Sequence, residues 1–399
     1  MTRQEAYNSS IESIEKSNSL LLELPTGMGK SKLSLDLINY LVDTKFKGKQ
    51  TSLLLLVAKR VHKTTWLKEI KKWGGLHVDS ITMECYESLK KHLNESFTFI
   101  LIDEVHHINS DLRLEALSTL KYSYMVGLSA TIPFKLKQYF KYTYHSQIVS
   151  CDIVDAIEDE VLPEPTILLL PLQLDNTKAT ETWEINPKAK GPIKHGLYRD
   201  IWTFRKQKAH AIIRLTPKQK LMEYDKLIDW EKGKVMRSRS EALKFTWLHH
   251  CGERLEWLAS MKVDIVRQIL RKLDKQRTIT FCKTIEQAEL LGKNCIHSKN
   301  EASDKIYTDF NDKKLNHITA VNILNENANL VDCKYAVFVN YSSSEICSAQ
   351  RIGRSLRHKS PIIILPFYKG TREEEIIQEK MIKGFNPECI KTINSIQEI

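Results

Sequence analysis

The chain has 399 residues, of which 42% are hydrophobic, and a formal net charge of +11 from 60 basic and 49 acidic side chains. A length beyond the roughly 250–300 residues at which one hydrophobic core stops growing predicts two or three domains. No apolar run approaches the roughly 20 residues that span a bilayer, and the first residues lack an apolar signal segment, which argues against membrane insertion and secretion.

Eight cysteines are scattered along the chain without a C-x-x-C pair. This spacing is typical of reduced thiols rather than of zinc ligands or a disulfide framework. We therefore expect a cytoplasmic protein, in a bacterial cell or a phage-infected one. The excess of basic side chains favours a polyanionic partner.

Residues 1–150 alternate between apolar strands and amphipathic helices. Alternation of this kind is typical of a parallel sheet with helices on both faces. We therefore predict a first α/β domain at 1–150. Its expected strands are 20–24, 51–58, 80–83, 98–102 and 124–129, and its expected helices are 31–42 and 63–73.

A glycine-rich turn joins the first strand to the first helix. Residues 24–31 read L-P-T-G-M-G-K-S, with Leu24 where the strict phosphate-loop pattern has glycine. Two glycines let the backbone approach phosphate oxygens, Lys30 supplies a cation to the β and γ phosphates, and the Ser31 hydroxyl can ligate Mg²⁺. The expected nucleotide-binding residues of this turn are Pro25, Thr26, Gly27, Met28, Gly29, Lys30 and Ser31.

Basic side chains follow the strand at 51–58. Lys59, Arg60 and Lys63 stand where the end of a strand would present them to nucleic-acid phosphates. A solvated basic surface is the alternative.

Two adjacent carboxylates end the strand at 98–102. We expect Asp103 to ligate Mg²⁺ and Glu104 to act as the base for an attacking water, because the metal holds one carboxylate ionised and leaves the other to accept a proton. Together with Lys30, this arrangement indicates nucleotide hydrolysis.

A basic segment separates the first domain from a second α/β domain, which we place at 151–399. Residues 175–220 contain eleven Lys or Arg and only four acidic residues. The aromatic residues Trp183, Tyr198, Trp202 and Phe204 are interleaved with them. Basic side chains track phosphates and aromatic rings stack on bases, although a solvated surface with a few core aromatics is the alternative. The expected phosphate contacts are Lys188, Lys190, Lys194, Arg205, Lys206 and Lys208.

The rest of this segment and the second domain have a mixed pattern. Residues 216–274 are charged and helical, with interruptions expected near Gly233 and Gly252, so we predict a largely helical basic insert at about 175–260. The second sheet is expected to recruit the strand at 166–174. Its other expected elements are strands at 278–282, 294–297, 318–321, 335–340 and 362–366 and helices at 285–293 and 350–358.

Four motifs occur in order along the chain: residues 24–31, D-E-V-H at 103–106, G-L-S-A-T at 127–131, and Q-R-I-G-R-S-L-R at 350–357. Together they resemble the superfamily 2 helicases and translocases, including the DEAD/DEAH-like and type III restriction-subunit-like ATPase cores. The resemblance covers about 1–150 and 265–370. Within this superfamily, the chain is similar to compact phage and bacterial motors. It implies two RecA-like domains with parallel sheets and an ATP site between them, with ATP and Mg²⁺ as cofactors.

The resemblance also implies roles for individual residues. Gln350, Arg354 and Arg357 would reach the γ-phosphate or the attacking water from the second domain, and Arg354 and Arg357 would act as arginine fingers. His106 would sense the γ-phosphate or link it to residues 127–131, and Gln4 would read the adenine edge. Residues 325–329 read N-E-N-A-N where related proteins commonly have D-E-G-x-D.

The residues and the resemblance predict an ATP-dependent DNA helicase or translocase that acts in repair, recombination or replication. An RNA helicase is the alternative, and D-E-V-H instead of D-E-A-D argues against it, as does Gln350 at the start of the last motif. A nucleic-acid-binding scaffold with a decayed ATPase is a lesser alternative. The expected partners are DNA rather than RNA, and proteins of replication or recombination. A monomer is compatible with the sequence, and the oligomeric state stays open.

Overall fold

The computed structural model describes residues 1–189, 193–197, 201, 209–238, 240–321, 330–342, 352–353 and 358–399. These ranges form two α/β units, each built on a parallel sheet, and a small mixed sheet between them in the chain. The predicted fold class is confirmed. The domain boundaries that we placed at 150 and around the insert remain predictions.

The first sheet is parallel throughout. Its inner strands are buried on both faces along most of their length, whereas the two edge strands are partly exposed. Leu53 to Leu56, for example, are completely buried, which is why the strand reads as a continuous apolar run. Its strands are β1 (Ser19–Glu23), β2 (Ser52–Val57), β3 (Ser80–Cys85), β4 (Ser96–Asp103), β5 (Lys121–Ser129) and β6 (Gln147–Ser150). Their order across the sheet is β3-β2-β4-β5-β1-β6.

Amphipathic helices cover this sheet. In the second of them, Leu33, Leu37 and Leu41 recur every four residues and form the buried stripe. Thr2 caps the first helix in a capping box with Glu5. The helices are α1 (Arg3–Lys16), α2 (Lys30–Lys45), α3 (Arg60–Lys72), α4 (Asp111–Ser118) and α5 (Phe134–Tyr144).

The chain then enters the second unit through α6 (Ile153–Glu158) and β7 (Thr166–Leu172) before it leaves for the insert. The insert begins with a small sheet that the sequence pattern did not predict. In it, β10 (Ala211–Leu215) lies between the antiparallel β8 (Glu181–Ile185) and the parallel β9 (Lys194–Leu197). Among the described residues, the first half of the insert is thus mainly β-structure, and the long helices follow in its second half.

That half consists of α7 (Pro217–Ser238) and α8 (Glu241–Met261), and α9 (Val263–Lys272) follows the insert. The interruptions expected near Gly233 and Gly252 were wrong, because both residues lie inside continuous helices. Glycine costs only about 1 kcal/mol in a helix interior. The packing of α7 along α8 outweighs that cost.

Trp183 also departs from its expected role as a base-stacking side chain. It is 9% exposed, in the core of the small sheet, and its ring meets that of Tyr224 edge-on at 4.7 Å. Tyr198, Trp202 and Phe204 lie outside the described residues.

The second large sheet has the order β12-β13-β11-β14-β15-β7-β16, and all of its pairs are parallel. The prediction that the strand near 166–174 joins this sheet is confirmed, because β7 pairs with β15 and β16. The remaining strands are β11 (Thr278–Cys282), β12 (Cys295–Ile296), β13 (His317–Val321), β14 (Tyr335–Phe338), β15 (Ile362–Tyr368) and β16 (Ile390–Thr392).

Three further helices accompany these strands: α10 (Ile285–Leu291), α11 (Ser303–Asn311) and α12 (Arg372–Ile376). Among the described residues, every helix is too short or too polar to cross a bilayer. The cytoplasmic location expected from the sequence stays a prediction.

Candidate functional site

Three neighbouring strands bring the sequence motifs to one edge of the first sheet. In the order β4-β5-β1, the C-terminal end of β4, with Asp103, lies beside the C-terminal end of β5, with residues 127–131. The end of β5 in turn lies beside the end of β1, which residues 24–31 follow. Parallel strands all end at the same edge, where open α/β sheets bind ligands. Motifs that are up to about 100 residues apart in the chain therefore share one cleft.

The turn after β1 has the geometry of a phosphate loop. Gly27 and Gly29 have φ angles of 106° and 92°, a left-handed region that other residues rarely adopt. The turn delivers the chain into the N-terminus of α2, where backbone N–H groups favour anions. Lys30 Nζ donates a hydrogen bond to the carbonyl oxygen of Leu24 at 2.8 Å, which holds the amine over the loop.

The two carboxylates lie across the same cavity. Asp103 and Glu104 are 6% and 5% exposed, and both line a cavity of about 1140 Å³ with Lys30 and Ser31. Glu104 has a left-handed backbone with φ 54°, an uncommon conformation for a residue with a side chain. The Tyr86 hydroxyl stabilises this turn by donating to the carbonyl oxygens of Asp103 and Glu104.

His106 connects Glu104 to the motif after β5. Its Nδ1 atom lies 2.9 Å from Ser129 Oγ and 3.3 Å from Glu104 Oε2. Ser129 Oγ in turn donates to the carbonyl oxygen of Thr131 at 2.8 Å. The expected link between His106 and residues 127–131 is therefore present as a direct contact.

Trp66 belongs to the site, although the sequence pattern did not predict it there. Its Nε1–H donates to Asp103 Oδ2 at 2.8 Å, and the indole is 2% exposed. In the sequence, Trp66 is one apolar residue of an amphipathic helix, 37 positions before its partner. Only the packing of α3 on the sheet brings the two side chains together.

The other wall of the cavity is formed by α1 and α2. Gln4, Tyr7 and Tyr40 line it, and Arg3 donates to the carbonyl oxygen of Gly27 at 3.3 Å. Gln4 Nε2 donates to Asn8 Oδ1 at 3.0 Å. Burial raises the pKa of Tyr7, and a hydrogen bond to the Glu15 carboxylate raises that of Tyr40, so both phenols stay protonated.

The residues present suit a magnesium nucleotide. Mg²⁺ prefers oxygen ligands and keeps several waters, so one hydroxyl and one carboxylate, from Ser31 and Asp103, are a sufficient protein contribution. Backbone N–H groups and Lys30 face the place where phosphates would lie.

The second unit approaches the phosphate loop at Gly353. A Cβ atom built there would lie 3.0 Å from Thr26 Cβ and 3.3 Å from the Thr26 carbonyl oxygen, so a side chain at this position would force Thr26 to shift by a few tenths of an ångström. Gln350, Arg354 and Arg357 lie outside the described residues, as do residues 325–329.

The residues predicted to contact nucleic acid have different surroundings. Lys59 and Arg60 are exposed at the start of α3, whereas Lys63 bonds Glu84 at 3.1 Å and is already committed to that carboxylate. Lys188 and Lys194 are exposed on the insert. The other predicted contacts, Lys190, Arg205, Lys206 and Lys208, lie outside the described residues.

Comparisons with known proteins agree with this arrangement. Residues 2–134 match the family of type III restriction enzyme res subunits, and residues 261–359 match the helicase conserved C-terminal domain. The DNA 3'-5' translocase XPB2 of Sulfurisphaera tokodaii is 20% identical over 382 residues, which cover 90% of this chain and 80% of that protein.

Two solved structures share the fold at low sequence identity. S. cerevisiae Dbp5 bound to RNA and ADP BeF3 has a TM-score of 0.57 at 10% identity, over 94% of this chain and 85% of that one. The type ISP restriction-modification enzyme LlaBIII bound to DNA has a TM-score of 0.58 at 13% identity, over 99% of this chain and 31% of that one. With two helicase domain families matched in order on two parallel-sheet units, the chain belongs to the superfamily 2 helicases and translocases.

Proposed function

We propose that this protein couples ATP hydrolysis to movement along DNA, as a helicase or translocase in repair, recombination or replication. The observation that carries the proposal is the cavity in which Lys30 and Ser31 face Asp103 and Glu104. A phosphate-binding turn opposite two buried carboxylates is the arrangement that phosphoryl transfer to water requires. DNA as the track is supported by the XPB2 relative, a DNA 3'-5' translocase, and movement from 3' to 5' is part of the proposal for the same reason.

The residues that line the cavity have separate roles in binding and hydrolysis. Lys30 and the backbone N–H groups of the loop hold the triphosphate, and Ser31 and Asp103 hold Mg²⁺, which neutralises charge on the phosphates. Glu104 accepts the proton of the attacking water. Its left-handed backbone turns it out of the strand direction and into the cavity next to Asp103. Gln4, on the opposite wall, reads the adenine edge.

His106 makes this chemistry responsive to the rest of the protein. It contacts both Glu104 and Ser129, so a shift of the segment after β5 changes the position of the base. A base misplaced by about 1 Å can slow a reaction by roughly 100-fold. Hydrolysis can thereby depend on the conformation of residues 127–131.

Closure of the two units supplies the remaining cations. Gly353 lies against Thr26, which supports the proposal that the motif at 350–357 serves the same nucleotide. Arg354 and Arg357 then stabilise charge that develops on the γ-phosphate, and Gln350 helps to hold the attacking water.

Nucleic acid is proposed to lie on basic side chains at two places in the chain. Lys59 and Arg60 contact it at the start of α3, and the insert adds the basic side chains between 188 and 208. Lys63 is a weaker candidate because it bonds Glu84 at 3.1 Å.

A comparison of polymers tests the proposal. ATP turnover is measured for the purified protein alone and with single-stranded DNA, duplex DNA, forked DNA and RNA, with Lys30→Ala as the inactive control. Stimulation by DNA is expected. Stimulation by RNA but not by DNA would favour the alternative, an RNA helicase. RNA-bound Dbp5 shares the fold of this chain. Absence of turnover under every condition would contradict the proposal.

A further inference from the structure

Helix α3 carries residues of two sites proposed for the first unit, the nucleic-acid surface and the metal site. Its start carries Lys59 and Arg60, which are exposed, and its middle carries Trp66, whose indole bonds the Asp103 carboxylate at 2.8 Å. A rise of 1.5 Å per residue puts roughly 9 Å of rigid helix between Arg60 and Trp66. One element therefore joins the candidate nucleic-acid surface to the candidate metal ligand.

The packing of α3 makes this connection stiff. His62 and Trp66 are four residues apart on one face, and they are 3% and 2% exposed. The opposite side of the helix meets solvent at Lys68, which is exposed. Because the buried face is close-packed, a displacement of the exposed end moves the indole rather than being absorbed along the helix.

The same helix also forms a wall of the nucleotide cavity. Thr65, Glu69, Lys72 and Trp73 all line it. Any movement of α3 therefore changes both the shape of the cavity and the direction of the hydrogen bond to Asp103.

We infer that Trp66 is a positioning residue that fixes the Asp103 carboxylate for Mg²⁺, and that α3 transmits nucleic-acid binding to this carboxylate. This inference rests on the proposed function of the cavity and goes beyond it by naming the element that couples DNA to ATP. Groups that orient a metal ligand typically contribute 10–100-fold to metal affinity. Trp66 acts through Asp103 and does not touch the nucleotide phosphates itself.

The test removes the N–H donor and keeps an aromatic ring. In Trp66→Phe, the Mg²⁺-dependent gain in affinity for a fluorescent, non-hydrolysable ATP analogue should fall by roughly tenfold or more, whereas affinity without Mg²⁺ stays at the wild-type value. Trp257→Phe is the matched control, because that indole donates to the Glu181 carboxylate at 2.8 Å in the insert. The control should keep the wild-type Mg²⁺ response.

The outcomes separate this inference from the proposed function. If the wild-type protein shows no Mg²⁺-dependent nucleotide binding, the proposed function fails. If the wild type shows it and Trp66→Phe shows the same gain, only the role of Trp66 fails. In a double-mutant cycle with Asp103→Asn, the two substitutions should be strongly non-additive, and additive effects would overturn the inference.

A second measurement needs no change at Trp66. In protein labelled with ¹⁵N-tryptophan, Asp103→Asn should move one indole N–H signal, and a DNA oligonucleotide without nucleotide should move the same signal in the wild type. Lys59→Ala combined with Arg60→Ala should abolish the response to DNA. If no indole signal responds to Asp103→Asn, the hydrogen bond is absent. If the responding signal ignores bound DNA, α3 does not transmit binding.

Discussion

A fully buried ion pair joins the insert to the second sheet, and its removal should be costly. Lys262 lies between α8 and α9, and Glu373 lies in the first turn of α12. Both side chains are 0% exposed, and Lys262 Nζ bonds Glu373 Oε1 at 2.5 Å and the carbonyl oxygen of Pro366 at 3.2 Å. Glu373 also accepts the backbone N–H of Tyr368 at 3.2 Å.

Replacing one partner leaves the other charge without compensation. Breaking a buried pair in this way typically costs about 3–5 kcal/mol. We therefore expect Lys262→Met to lose this amount of unfolding free energy, which for a domain of this size lowers the Tm by roughly 6–20 °C. The double variant Lys262→Met/Glu373→Gln should be more stable than the single one, because it removes both charges and keeps an acceptor for the Tyr368 N–H.

The pH dependence supplies an independent check. Burial raises the pKa of Glu373, and the attraction of Lys262 opposes that rise, so the pKa rises further once Lys262 is removed. A carboxyl whose folded pKa exceeds its unfolded value favours the folded state at low pH, and this contribution is lost as pH rises through the folded pKa. The loss of unfolding free energy in Lys262→Met, relative to the wild type, should therefore become smaller as pH falls toward 4.5.

Thermal unfolding followed by circular dichroism measures the wild type and both variants. A Lys262→Met protein within about 1 kcal/mol of the wild type at neutral pH would refute this reasoning, because the expected loss is several times larger. So would a double variant no more stable than the single one.

Arg354→Ala and Arg357→Ala should each lower kcat for ATP by orders of magnitude with little change in KM, and an effect confined to KM would contradict a role in the closed transition state. Burial lowers the pKa of His317 from 6.5 to about 4, so wild-type stability should fall as pH drops through this range. In pH-dependent unfolding, His317→Asn should not show this part of the loss of stability at low pH. A variant that loses as much stability as the wild type would mean that another group causes the loss. Neutralising Lys188 and Lys194 together should lower the slope of log DNA affinity against log salt by about two, and an unchanged slope would leave both as solvated side chains.

The first sheet and its motifs could be predicted because local patterns determine them. A parallel strand buried on both faces reads as an apolar run, and the residues after it lie at the ligand-binding edge whatever the loop lengths are. For this reason residues 24–31 and the pair Asp103 and Glu104 were expected together, and the structure places them around one cavity.

Long-range packing could not be predicted in the same way. The strands of the insert are short, and β8 pairs with β10 across about 26 residues, so neither has a local signal for its partner. Glycines at 233 and 252 indicated helix ends, yet helix–helix packing overrides a cost of about 1 kcal/mol each. The bond from Trp66 to Asp103 likewise depends on how α3 packs against the sheet.

The central claim is that the cavity hydrolyses ATP in response to DNA. The most direct measurement compares ATP turnover with and without duplex or single-stranded DNA in the wild type and in Glu104→Gln, alongside equilibrium binding of ATP. The wild type should turn over ATP faster with DNA, and Glu104→Gln should bind ATP normally but hydrolyse it at no more than a few per cent of the wild-type rate, roughly the loss that follows removal of a general base. Turnover that ignores DNA, or a Glu104→Gln variant that hydrolyses ATP at the wild-type rate, would contradict the claim.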